Sequence, residues 1–237
     1  VFARTVTVAG TQTTDFDGNV TAATAMNFAA DGTITFAANK GVAGAVTTGT
    51  DNTGTLTFAT ATASTGLVSG AVGTSSAALK ALNIDSGTTA GTTVSLGGDV
   101  FSRLVAVAST QTTSFAGDVT AVTSVTFGAD GTIAVAADKK LVTAAVAASI
   151  NNNGTLTFAA TSTDTTLVSG TAGASGNVLK AINVAPATGV TATLAGNVFA
   201  TAINTTGVGT LALGGTFTGN ANFGADGTIT AAGAITG

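Results

Sequence analysis

Thr11 to Val20 reads TQTTDFDGNV, and Thr110 to Val119 reads TQTTSFAGDV. Self-similarity at a fixed long period marks a repeat architecture. Other phrases travel with this one. Val1-Phe2-Ala3 returns as Val100-Phe101-Ser102 and Val198-Phe199-Ala200. Ala30-Asp31-Gly32-Thr33-Ile34 returns at Ala129 to Ile133 and again at Ala225 to Ile229. Gly54 to Phe58 returns at Gly154 to Phe158, Leu67 to Gly70 at Leu167 to Gly170, and Leu79-Lys80-Ala81 at Leu179 to Ala181. The chain divides into copies at 1–99 and 100–197 and a truncated copy at 198–237.

A shorter period lies inside each copy. An apolar residue, any residue, Gly, then Asn or Asp occurs at Phe16 to Asn19, Leu96 to Asp99, Phe115 to Asp118, Leu194 to Asn197 and Phe217 to Asn220. Gly permits the positive φ of a corner, and Asn or Asp tolerates it next best. A second motif, Gly-Thr-apolar, occurs at Gly32, Gly54, Gly131, Gly154, Gly209 and Gly227. In Gly32-Thr33-Ile34-Thr35-Phe36 the alternation puts Ile34 and Phe36 on one face and both Thr on the other. One corner per winding of roughly 20 residues is the signature of a β-helix. The expected fold is all-β, a right-handed parallel β-helix or β-solenoid of about 11 rungs and about 50 Å. In it Leu96 stacks under Phe115, and Leu194 under Phe217. A β-sandwich also uses many short strands, but it does not repeat one corner per winding. Ser75 to Ile84 and Gly176 to Val184 interrupt the scheme, either as a short helical turn or bulged loop or as a strand entered from a loop.

Composition agrees with strands. Hydrophobic residues are 45% of the chain, yet only 8% are charged, which does not suit disorder. Glu is absent, so a long charged helix is disfavoured, while Thr, Val, Ile and Phe favour strands. The net charge of −4 argues against nucleic acid, which demands clustered cations. Lys139-Lys140 is the one adjacent basic pair, and it is expected in a solvated turn. No apolar run is long enough for a transmembrane helix. There is no Cys, hence no disulfide, and the first residue is Val1, as expected of a fragment or processed part of a longer protein.

Chemistry is sparse. His is absent, which removes the usual general base and zinc ligand. Asp31, Asp130 and Asp226 share one repeat position, as structural corners do. Arg4 and Arg103 share another, as scaffold residues do. Asp15-Phe16-Asp17-Gly18-Asn19 is the best candidate for a calcium loop, but its counterpart Ser114-Phe115-Ala116-Gly117-Asp118 lacks the carboxylates at the first and third positions. Asn19-Val20-Thr21 and Asn204-Thr205-Thr206 match the glycosylation triplet. Thr33-Ile34-Thr35, Thr55-Leu56-Thr57 and Thr155-Leu156-Thr157 would suit an ice-binding row, broken at Ala134 and Ala212. No catalytic, cofactor-binding or metal-binding residue is assigned, and the chain is expected not to be an enzyme.

The phrases Asn152 to Phe158, Leu179 to Val184, Gly196 to Thr201 and Gly214 to Gly219 resemble the passenger region of rickettsial outer membrane protein B and related autotransporters. The resemblance covers most of the chain. It implies a β-helical passenger on the bacterial cell surface, able to form a surface layer, with some members acting as adhesins. The expected role is a structural cell-surface scaffold, S-layer-like or a filament subunit, self-associating end to end through terminal rungs. The alternative is an adhesin for a host or neighbouring cell, with Thr47 to Thr53 and Ala147 to Asn153 as the loops that carry it.

Overall fold

In the computed structural model the strands wind into parallel coils, and strands of the inner coils bond to the coil below and the coil above. The structure describes residues 1–59, 62–63, 65–85 and 92–237. Among them are 24 strands and no helix. The fold is a β-solenoid with three walls.

The register shows the walls as columns of inward side chains. The first wall stacks Val6, Met26, Val46, Val72, Val100, Val119, Leu141, Val168, Leu194, Leu213 and Ala231, so there are 11 windings. The second stacks Thr14, Ile34, Leu56, Leu82, Val105, Val125, Val146, Ala172, Val198, Phe217 and Ile235. The third runs from Val20 through Val42, Val68, Leu96 and Phe115 to Val135. Parallel strands buried on one face read as alternation, and Thr33–Phe36, Thr55–Phe58 and Thr155–Ala160 keep their Thr half-buried outside and their apolar residues buried inside.

These columns form one continuous apolar core. Phe16, Phe36 and Phe58 stack ring on ring, with centroids 5.4 and 5.3 Å apart. Offset stacking of this kind adds to the burial of each ring. At Gly54 and Gly154 of the Gly-Thr-apolar motif the chain passes over a core ring. Gly54 has φ +83° and Gly154 φ +79°, and a Cβ at either would collide with the ring of Phe28 or Phe127. Only Gly meets both demands.

Leu96 pairs with Phe115, as expected. Leu194 and Phe217 do not stack. Leu194 lies under Leu213 on the first wall, while Phe217 lies over Val198 on the second. The corner above Leu194 is Leu213-Gly214-Gly215-Thr216, with Thr where the motif has Asn or Asp. Asn197 Oδ1 still accepts a hydrogen bond from the Thr216 N–H, at 2.9 Å. Phe217-Thr218-Gly219-Asn220 sits inside the strand Phe217–Phe223. Windings are also less uniform than a 20-residue period implies. They run from 18 residues, Leu213 to Ala231, to 28, Val72 to Val100. The extra residues go into corners. At Thr74 to Ala77 and Ala174 to Asn177 the chain makes a tight antiparallel turn and then enters the strands Leu79–Ile84 and Leu179–Pro186. No helical turn forms there, because Leu79, Leu82 and Ile84 are drawn into the core as a strand.

Corresponding residues of successive copies fall on different walls. Ile34 is on the second wall, Ile133 on the third and Ile229 on the first. Each copy begins one wall later than the copy before.

Two substitutions probe the core. Phe36→Ala removes the middle ring of the stack and should cost about 3–5 kcal/mol by urea unfolding. Thr113 is buried between Val94 and Ile133, and its Oγ1 has no hydrogen-bond partner. Thr113→Val should therefore stabilise by about 1–2 kcal/mol in the same assay.

Candidate functional site

The charged side chains serve the corners. Asp31 sits between the first and second walls. Its Oδ1 accepts the Gly54 N–H of the next coil at 3.2 Å, and its Oδ2 takes Lys80 Nζ, two coils up, at 2.8 Å. Asp130, between the second and third walls, repeats this with Gly154 N–H at 3.4 Å and Lys180 Nζ at 2.6 Å. Asp51 accepts the Ala78 N–H at 3.0 Å and Arg103 at 2.6 Å, again two coils away. In the next copy the charges are gone, the backbone contact stays and the two-coil contact moves to the adjacent residue. Asn151 accepts the Val178 N–H at 3.0 Å, and Thr201 Oγ1 donates to Asn152 at 2.8 Å.

The Lys80 hydrogen bond, and then the Gly54 N–H, hold the Asp31 carboxyl below its usual range. Arg103 and then the Ala78 N–H do the same for Asp51. Asp138 is held well below that range by the Ser162 hydroxyl first and the Thr161 N–H next. The Asp138 carboxylate accepts from the N–H and the hydroxyl of both Thr161 and Ser162. Its counterpart Asn39 accepts the Thr62 and Ala63 N–H groups at 2.9 and 3.1 Å. Both residues have positive φ, 58° at Asn39 and 61° at Asp138, which marks a loop clamp.

The remaining sequence candidates are dispersed. Asp15 faces outward from the strand Thr13–Phe16 beside Thr35, and Asn19 Oδ1 accepts the Gly41 N–H at 3.1 Å. That segment is a strand followed by a corner. Arg103 pairs with Asp51, while Arg4 is exposed. Lys139 and Lys140 lie in a turn, with the Lys139 N–H on the Ala136 carbonyl at 3.1 Å. Asp226 is exposed on the corner between Phe217–Phe223 and Thr228–Ala231, where neither a Lys nor an Arg reaches it among the described residues. Thr47 to Thr53 is partly wall, since the strand runs Val42–Thr48, and partly a tight corner with Asn52 at φ 59°. Ala147 to Asn153 repeats that corner with Asn152 at φ 61°.

The Thr rows do not make one face. Thr33 and Thr35 lie beside Thr55 and Thr57 on the second wall. Thr155 and Thr157 lie on the third, because the second copy is turned by one wall. Asn204 of the second glycosylation triplet belongs to an outward ladder. Asn222 donates to Asn204 at 2.9 Å and Asn204 to Asn183 at 2.7 Å. This ladder and the Asn39 and Asp138 clamps went unread in the sequence. The shared repeat position of Asn39 and Asp138 was the available signal.

One groove of about 710 Å³ crosses the third wall, among Asn19, Asn39, Thr65, Ser69, Ser95 and Gly97. It has the volume of a ligand site but no aromatic or charged lining. Four of its polar side chains are already engaged. Asn19 and Asn39 accept the bonds given above, Thr65 Oγ1 donates to the Ala63 carbonyl at 3.0 Å, and Ser69 Oγ accepts the Gly44 N–H at 2.9 Å.

No family model, curated protein or solved structure matches the chain. Among the described residues no helix is long and apolar enough to cross a membrane.

The corner carboxyls set an acid limit. Asp31, Asp51 and Asp138 titrate lower in the fold than in the unfolded chain. Their contribution is fully present above the unfolded value near pH 4 and drains away as pH falls through the folded values. The melting temperature should stay level from about pH 7 to about pH 5 and drop below about pH 4. A double variant, Asp31→Asn with Asp51→Asn, should show a shallower drop by circular dichroism.

Proposed function

We propose that the protein is a structural scaffold of the bacterial cell surface, a coat or filament element without catalytic chemistry. The observation that carries this reading is where the charged groups go. The Asp31–Lys80, Asp51–Arg103 and Asp130–Lys180 pairs bind coil to coil along the rod, and among the described residues no group of them converges on a cleft. Each such exposed pair adds little stability alone. Their value is in joining coils that are not neighbours. The outward walls present Thr, Ser, Asn and Ala, a surface suited to lying in a layer. The resemblance to the passenger region of rickettsial outer membrane protein B supports an extracellular site of action.

End-to-end association of the 237-residue chain is part of this proposal. In the 237-residue chain, Phe2–Val8 pairs only with the coil above and Ile235–Thr236 only with the coil below. Unpaired parallel edges recruit further strands. A head-to-tail contact that does not close grows into a filament. Negative-stain images and sedimentation of the purified chain across a range of concentrations test this. The expected outcome is rods in multiples of about 50 Å that lengthen with concentration. Single rods at every concentration would refute the end-to-end contact. If those single rods bind cells, the adhesin role stands in its place.

A further inference from the structure

The long repeat is a unit of rotation as well as of length. Val20, Val42, Val68, Leu96 and Phe115 rise up the third wall in four coils. Val119, the counterpart of Val20, stands one wall further on, over Val100 on the first wall. The next copy behaves alike. From Val119 the column rises through Leu141, Val168 and Leu194 to Leu213, again four coils. Phe217, the counterpart of Val119, then stands over Val198 on the second wall. Four coils and one wall of three advance the rod about 21 Å and a third of a turn.

Such an arrangement requires every wall to accept every part of the repeat, and the seams between copies show that they do. At the first seam Leu79, Leu82 and Ile84 lie under Ser102, Val105 and Val107, and Leu96 lies under Phe115. At the second seam Leu179, Ile182 and Val184 lie under Ala200, Ile203 and Thr205, and Leu194 lies under Leu213. The two seams have the same register, yet the second is turned by one wall. The lower faces nearly coincide, Leu79-Lys80-Ala81-Leu82-Asn83-Ile84 against Leu179-Lys180-Ala181-Ile182-Asn183-Val184.

We propose that whole copies are the interchangeable unit of this rod, and that each copy gained or lost turns everything beyond it by one wall. Copy number then sets the direction in which a surface feature points. The Asp31–Lys80 staple and the turn at Thr74 to Ala77 project from the edge between the first and second walls. The Asp130–Lys180 staple and the turn at Ala174 to Asn177 project from the next edge. The mechanism is independent of the coat role, since it rests on register alone.

Removal of residues 100–197 tests it, placing Val198 directly after Asp99. The seam so made should set Leu82 under Ile203 and Leu96 under Leu213. The chain has no Cys, so Ser95→Cys and Ala212→Cys give a unique thiol pair. In the full chain these positions face outward from the third and first walls, five coils and one wall apart. In the shortened chain they become neighbours on one wall. A short bis-maleimide should link them at least tenfold more in the shortened chain than in the full one, with a β-type far-ultraviolet spectrum and cooperative melting. A folded shortened chain that does not link overturns the proposal. If the shortened chain does not fold, duplication of residues 100–197 decides, with Asn183→Cys in the first duplicate and Ala106→Cys in the second. Linking in that folded chain supports the proposal, and failure to fold or to link overturns it.

Discussion

The backbone ladder between successive coils is the constraint on which the rest depends. Parallel pairing in register places each residue over its counterpart one winding below. Inward positions therefore meet only inward positions, and a column must be apolar throughout to be stable. Val6 to Ala231 on the first wall obeys this over all 11 windings, and the second wall obeys it from Ile34 to Ile235, above the half-buried Thr14 of its first winding. The exceptions stand out because the rule is strict. Thr113 and Thr205 are buried polar residues in otherwise apolar columns.

Corners obey a looser rule. A corner must turn the chain and satisfy the N–H groups that leave the ladder. It does so with an Asn or Asp side chain that caps the coil above, as Asn19 does for Gly41, Asp99 for Asp118 and Asp118 for Lys140. Length is free at such a place, because an outward loop disturbs no column. The windings vary from 18 to 28 residues while the walls keep their register.

This division explains what could be read from the chain alone. The walls were legible, since alternation in Gly32 to Phe36 or Gly54 to Phe58 follows from which side faces the core. Leu96 under Phe115 was legible for the same reason, with a motif at both ends. Leu194 under Leu213 was not, because Thr216 replaced the expected Asn or Asp while its N–H was still capped by Asn197. The rotation between copies was hidden as well. It depends on the total of all winding lengths in a copy, and each corner contributes an uncertain residue or two. The acidic corners were recognised by shared position, but their partners two coils away lay beyond any local pattern.

The staples that skip a coil change how the rod comes apart. A stack whose units touch only adjacent units loses them one at a time from the ends. Lys80 on Asp31, and Arg103 on Asp51, interleave across four successive windings. Peeling one winding in that stretch also frees a cation from a carboxylate two levels away, so neighbouring levels must loosen together. The first half of the molecule thus carries a short block that yields as a group, set in a rod whose outer windings fray singly.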